Sequence, residues 1–194
     1  MLPWLVVGLG NPGPTYASHR HNVGSHVVEE LAGRLGLRFA PQRGIRAELA
    51  EGRLGPPGPD SPRLVLAKSR TYMNETGAPV AGLLAYHKIA PDRLIVIHDE
   101  LDIDPGQLRV KFGGGDNGHN GLKSIRRSLG TGDYYRVRIG VGRPPGRQDP
   151  ADFLLSNFPA ADRELVAVEV ARAADAVESL VTHGLDRTQS TYNS

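Results

Sequence analysis

The stretch WLVVGLGNPGPTYASHRHNVGSH, residues 4–26, decides how the rest of the chain is read. It opens on an apolar run, Trp4 to Val7, and then spaces Gly8, Gly10 and Gly13 as G-x-G-x-x-G. After a strand, that spacing is the fingerprint of a dinucleotide-binding turn, whose helix starts inside the glycine loop so that its amides face a pyrophosphate. Here Pro12 and Pro14 stand where that helix would begin, and TYASHRHN has no apolar period. The helical stripe starts only at Val23. The acidic residue that should close a second strand about 20 residues on is missing, because Glu29 and Glu30 fall within the helical pattern. The glycines are instead expected to turn the backbone sharply off a strand end and bring Asn11 close to a ligand. In α/β proteins ligands usually bind there, beyond the carboxyl ends of the strands.

Outward from this segment, β-branched apolar runs predict strands at Leu5–Leu9, Leu64–Lys68, Leu94–His98, Gln107–Phe112 and Tyr135–Val141. Val23, Val27, Leu31 and Leu35 recur every four residues and predict a helix. Residues 78–88, 119–129 and 161–183 also read as amphipathic helices, the last with Leu165, Val168, Val177 and Leu180 on its apolar side. Alternating strands and helices imply an α/β, single-domain sandwich over residues 1–194, with a central mixed, mostly parallel β-sheet flanked by helices. GRLGPPGPDSPR, residues 52–63, and RPPGRQDP, residues 143–150, read as turn-rich excursions rather than domain linkers. The polar end TQSTYNS is expected to fray.

The chain has no cysteine, which excludes disulfides, thiolate metal sites and cysteine nucleophiles. It shows neither a secretory signal pattern nor an apolar run of about 18 residues, so a cytoplasmic protein without a membrane span is expected. A net charge of +2 hides an asymmetry: residues 105–147 carry nine Lys and Arg against Asp116 and Asp133, a balance of +7, which leaves −5 for the remainder. A basic stripe of this kind suits a polyanionic partner.

Asn, His and Asp residues gather at the ends of the predicted elements. Asn11 follows the first strand, His21 and Asn22 precede a helix, TYMNETG sets Asn74 after a strand, and Asp99 ends LIVIHD. FGGGDNGHNGLKS places His119 and Asn120 before another helix. If the strand ends share one edge of the sheet, these groups converge. No G-x-S-x-G surrounds any serine, so an acyl-enzyme has no support. A histidine paired with a carboxylate can instead deprotonate water, and asparagines can donate to a developing oxyanion or recognise an amide. Direct attack of water on an ester or amide is the chemistry this set permits. His26, His87, His98 and His183 read as structural or surface residues, with His98 expected to face away from Asp99 because strand side chains alternate. Two rivals remain. His19 and His21 form H-x-H and HDELDID supplies acids, which would suit a metal-assisted hydrolase, and the basic stripe alone would suit a non-catalytic RNA-binding module.

Together VGLGNPGPTYASHRHNVG, TYMNETG, HDELDIDPG, KFGGGDNGHNGLKS and YRVRIGVGRP resemble bacterial-type peptidyl-tRNA hydrolases, in that family's order and over most of residues 4–155. The resemblance implies a monomeric, cofactor-free enzyme with no metal that cleaves the ester between a peptide and the 3′ end of tRNA. It implies His21 as the water-activating base, Asp99 as the carboxylate orienting it, and Asn11 as the sensor of the acylated α-amino end. By the same resemblance Tyr16, Tyr72, Asn74, His119 and Asn120 contact substrate, and Met73 packs beside the site. Lys111 and Arg138 would clamp the tRNA 5′-phosphate. Two positions depart from the family's pattern: His19, where Thr is common, and Asp116-Asn117 in the glycine-rich loop.

Overall fold

A computed structural model of the chain describes residues 2–193. Among these, seven strands form one sheet in the order β2-β3-β4-β1-β5-β7-β6. The strands are β1 (Trp4–Gly8), β2 (Ala40–Pro41), β3 (Ala47–Arg53), β4 (Arg63–Ser69), β5 (Leu94–Glu100), β6 (Leu108–Phe112) and β7 (Tyr135–Gly140). The helices are α1 (Val23–Arg34), α2 (Gly77–His87), α3 (Asn120–Leu129), α4 (Pro150–Leu154), α5 (Arg163–His183) and α6 (Leu185–Tyr192). β4, β1, β5 and β7 run parallel, while β2, β3 and β6 are antiparallel additions at the two edges.

The sheet is covered on both faces, which is why its central strands read as unbroken apolar runs. Val6, Ile95 and Ile97 pack against Val27 and Leu31 of α1 and Ala173 and Val177 of α5. On the other face Leu5, Val7 and Val96 meet Val80 and Leu83 of α2 and Leu122 and Ile125 of α3. Asp99 continues the first row and His98 the second, as strand alternation requires.

Gly8 of the opening stretch does something other than turn the chain. Gly8 lies inside β1, where a Cβ would sit 2.2 Å from the Gly24 carbonyl oxygen, and a Cβ on Gly24 would sit 2.2 Å from that of Ile97. The two glycines let α1 cross the end of β1 and β5 in backbone contact, which sets the residues just before α1 against the end of β5. Only Gly13 of the three needs a positive φ, +94°.

The structure adds to the sequence reading or departs from it at four points. β2 and β3 escaped the sequence reading because AELAEGR contains no β-branched residue; edge pairing with β4 holds that strand extended. β6 is antiparallel to β7, so Phe112 lies level with Tyr135, whereas Asp99 lies level with Ile139. The glycine-rich segment 113–118 therefore climbs back to the rim carrying Asp99, helped by positive φ at Gly113, Gly114, Asn117 and Gly118. In α5, Leu165 and Val168 are 46% and 55% exposed, because the helix reaches the core only from Val170 onward. The polar tail continues as helix α6 to Tyr192, where Thr188 is fully buried, and Asn193 bonds both the N–H and the C=O of Val110 on edge strand β6. Ser194 lies outside the described residues.

Candidate active site

Asp99 is the centre of the site. It is the penultimate residue of β5, is 1% exposed, and uses both carboxylate oxygens on histidines. His21 Nδ1 lies 2.7 Å from Oδ2, and His119 Nε2 lies 2.8 Å from Oδ1. The two imidazole centroids are 4.8 Å apart. Burial alone would raise the Asp99 pKa, but the positive charge and hydrogen bonds offered by His21 and His119 outweigh it and hold the carboxyl below its ordinary range. Burial likewise opposes charge on His21, yet the charge and hydrogen bond of Asp99 raise its pKa above that of an ordinary imidazole.

The backbone settles the tautomers. His119 caps α3: its Nδ1 accepts from the N–H groups of Gly121 (3.1 Å) and Leu122 (3.4 Å). In the neutral ring Nδ1 is thus the lone-pair nitrogen, and the proton resides on Nε2, which donates to Asp99. His21 donates through Nδ1 to the other carboxylate oxygen, so its Nε2 keeps a lone pair. That nitrogen has no hydrogen-bond partner among the described residues and is not sealed from solvent. His98 bears on the site from behind: its Nδ1 donates to the Asp99 carbonyl oxygen (2.8 Å) and its ring lies 5.1 Å from that of His119. Burial, then the neighbouring His119, lowers its pKa well below the usual value, consistent with a neutral spacer.

Asn11 is oriented as firmly. Its Oδ1 accepts from the Met73 N–H at 2.7 Å, which leaves Nδ2 as a donor with no partner among the described residues. Asn22 grips its backbone from both sides, accepting from Asn11 N (3.0 Å) and donating from Nδ2 to Asn11 O (2.8 Å). Met73 is buried, and a Cβ on Gly121 would lie 2.7 Å from its sulfur, so the turn after β4 abuts the start of α3. Tyr16 and Tyr72 meet edge to face at 6.0 Å, with Tyr72 54% exposed. Asn74 and Asn120 are exposed, and their side chains form no hydrogen bond among the described residues. A groove of about 500 Å³ opens beside Asn11, lined in part by Gly10, Pro12, Ser25, His26 and Lys68.

Lys111 and Arg138 stand on the β6–β7 pair, with Arg138 level with His98 in the β5–β7 register. Arg138 is 3.5 Å from Glu100, and burial, then Arg138 and Arg136, lowers the Lys111 pKa, so three cations share one region.

Several positioning residues were not evident from the sequence. Arg20 holds the segment after α4 beside His21: its Nη1 donates to Ser156 Oγ (2.7 Å) and Asn157 O (2.9 Å), and its guanidinium lies 4.0 Å over the Phe153 ring. Asn117 latches the glycine-rich segment by donating to Glu100 and to Asp102 Oδ2. Neither signals itself locally, because each partner is distant in the chain. The Asn22 grip had a hint, its place immediately after His21.

Among the described residues, His21, Asp99 and His119 are the one group whose donor atoms are close enough to hold a metal ion, within 4.8 Å of one another. His19 does not join it; its ring packs against Tyr16 instead. The donor set fits a metal poorly, since the α3 amides commit Nδ1 of His119 and leave an N–H, not a lone pair, facing Asp99. Exhaustive chelation is expected to leave hydrolytic activity unchanged; activity lost on chelation and restored by a divalent cation would revive metal-assisted hydrolysis.

Comparison with known proteins gives the family. The family model described as peptidyl-tRNA hydrolase matches residues 5–194. A peptidyl-tRNA hydrolase of Cutibacterium acnes is 57% identical over 196 residues, covering 98% of this chain and 98% of that protein. One of Streptomyces coelicolor is 57% identical over 192 residues, covering 99% and 96%. The crystal structure of peptidyl-tRNA hydrolase from Acinetobacter baumannii superposes with a TM-score of 0.86 at 34% identity, covering 97% of this chain and 93% of that one.

Proposed function

The chain belongs to the peptidyl-tRNA hydrolase family, and we propose that it hydrolyses the ester joining a peptide to the 3′ end of tRNA with His21 as general base. The observation that carries this reading is the unpartnered Nε2 of His21, whose ring Asp99 holds through Nδ1. That nitrogen takes a proton from water as the water oxygen attacks the ester carbonyl. The bond to the ribose oxygen then breaks, and the same proton passes to that oxygen, releasing tRNA and a peptide carboxylic acid that gives its own proton to solvent. Asp99 stabilises the imidazolium formed in between. Asn74 or Asn120 donates to the developing oxyanion.

Asn11 supplies selectivity. Its Oδ1 is spent on Met73, so it offers the substrate only N–H. A carbonyl acylating the α-amino group can accept from that donor, whereas a free α-ammonium brings only further donors. Incubation with N-acylated and free aminoacyl-tRNA tests the reading: rapid release from the acylated substrate alone is expected, and binding of tRNA without release would make the protein a passive RNA-binding module.

Tyr16, Tyr72 and His119 line the substrate cleft, with Met73 packing behind them, and Lys111 and Arg138 take the 5′-phosphate of the acceptor end. The enzyme acts as a monomer in the cytoplasm. Because phosphate contacts release counterions, KM is expected to rise steeply with salt, and removing Lys111 or Arg138 should lower the slope of log KM against log salt by about 1 each while affecting KM more than kcat. A KM indifferent to salt would contradict this phosphate assignment.

A further inference from the structure

Arg136 is the largest fully buried side chain in the described protein, 1% exposed, and no carboxylate pairs with it among the described residues. An uncompensated buried guanidinium is costly unless its donors are satisfied. The donors of its two terminal nitrogens go to main-chain carbonyls, while Nε has no partner among the described residues. Nη2 donates to Gly114 O (2.8 Å) and Gly132 O (2.9 Å), and Nη1 donates to Gly115 O. The side chain thus ties the lower half of the glycine-rich segment to the loop after α3, while Asn117 ties its upper half to Glu100 and Asp102.

These carbonyls have a geometric corollary. No peptide bond among the described residues is cis, and in a trans unit the N–H points opposite to the C=O. Turning the carbonyls of Gly114 and Gly115 inward to Arg136 therefore turns the N–H groups of Gly115 and Asp116 outward. Neither of those N–H groups has a partner among the described residues, and Gly114 and Gly115 are exposed. Successive outward amides form an anion-binding concavity. The Lys111 ammonium lies against it, since a Cβ on Gly114 would sit 2.6 Å from Nζ. The nearby Asp116 carboxylate is turned back to accept from the Gly118 N–H at 3.2 Å.

We infer that the main-chain amides of Gly115 and Asp116, aimed by buried Arg136, form a binding site for a terminal phosphate monoester beside Lys111. The inference rests on the reading of Lys111 and Arg138 as the cations for the tRNA 5′-phosphate, and adds the backbone donors that make a diffuse positive patch geometrically selective. Arg136 acts here as a positioning residue, since it is buried behind the loop.

Proton–nitrogen NMR spectra of the full chain with an acceptor-stem RNA duplex test it, one duplex carrying a 5′-phosphate and the other a 5′-hydroxyl. The Gly115 and Asp116 amide protons are expected to move downfield with the phosphorylated duplex only. Amides that respond equally to both duplexes, or to neither, overturn the site. A second arm uses Arg136→Lys, which keeps the charge but cannot reach three carbonyls. For wild type, removal of the 5′-phosphate from an N-acylated aminoacyl-tRNA should raise KM about tenfold or more, as for hydrogen bonds to a charged group. In Arg136→Lys that ratio should fall towards one; an unchanged ratio means that charge alone is read, and the backbone site is wrong. Hydrolysis of the 5′-hydroxyl substrate is followed in parallel, so that loss of the ester-cleaving reading itself is seen separately.

Discussion

Replacing His21 by alanine is expected to lower kcat by ~10²–10⁴-fold, the usual worth of a positioned general base, while tRNA affinity stays close to that of the parent. The separation follows from the layout. His21 sits in the rim cluster with Asp99 and His119, whereas Lys111, Arg136 and Arg138 form the cationic region on the β6–β7 pair. The pH profile carries the same signature. Only the neutral imidazole can accept a proton from water, and Asp99 raises the His21 pKa against the opposing effect of burial. The parent enzyme should therefore lose kcat/KM as pH falls through a pKa above the ordinary ~6.5, with a plateau on the alkaline side. The alanine variant should lack that acid limb. Retention of near-parent activity, or of the limb, would remove His21 from the chemistry.

Asp99→Asn is the second large effect, and its cause is a tautomer rather than a lost charge alone. Aspartate accepts two N–H bonds, from His21 and from His119. Asparagine offers one oxygen and one NH₂, so one histidine meets a donor. His119 cannot turn its proton away, because the α3 amides of Gly121 and Leu122 already face its Nδ1. The new amide oxygen therefore faces His119 and the NH₂ faces His21, which must move its proton to Nε2 and so fill the lone pair that water needs. A rate loss of ~10⁴ accompanies the equivalent exchange in a serine-protease triad, and a comparable fall in kcat with little change in KM is expected here. Any residual acid limb should move to lower pH, since burial remains while the charge that opposed it is gone. Adding His119→Ala to this variant frees the amide to flip, and part of the rate should return at some cost in α3 stability. If the double variant is no faster than Asp99→Asn, the locked tautomer is not the cause.

Much of this site was legible in the sequence because its chemistry sits where strands end. Asp99 closes an unbroken apolar run, Asn11 follows another, and His21 and His119 stand immediately before helical patterns. The parallel central strands then bring the ends of β1 and β5 to one rim. What escaped was information held between distant segments. Arg20 finds Ser156 and Asn157 more than 130 positions away, and the buried role of Arg136 depends on a loop that must return along an antiparallel strand. In the sequence Arg136 reads as one more member of the basic stripe. The glycines were misread for a related reason: Gly8 and Gly24 are required by a strand–helix crossing that neither segment reveals alone. AELAEGR lacked the β-branched residues that mark a strand, since pairing with β4, rather than propensity, holds it extended.

The most direct test of the account is nitrogen-15 NMR of the His21 ring in the free enzyme, at a pH where it is neutral. Nδ1 should carry the proton and Nε2 the free-base shift, and the assignment should reverse in Asp99→Asn. A proton on Nε2 in the parent protein would leave water with no base at this position and contradict the mechanism outright.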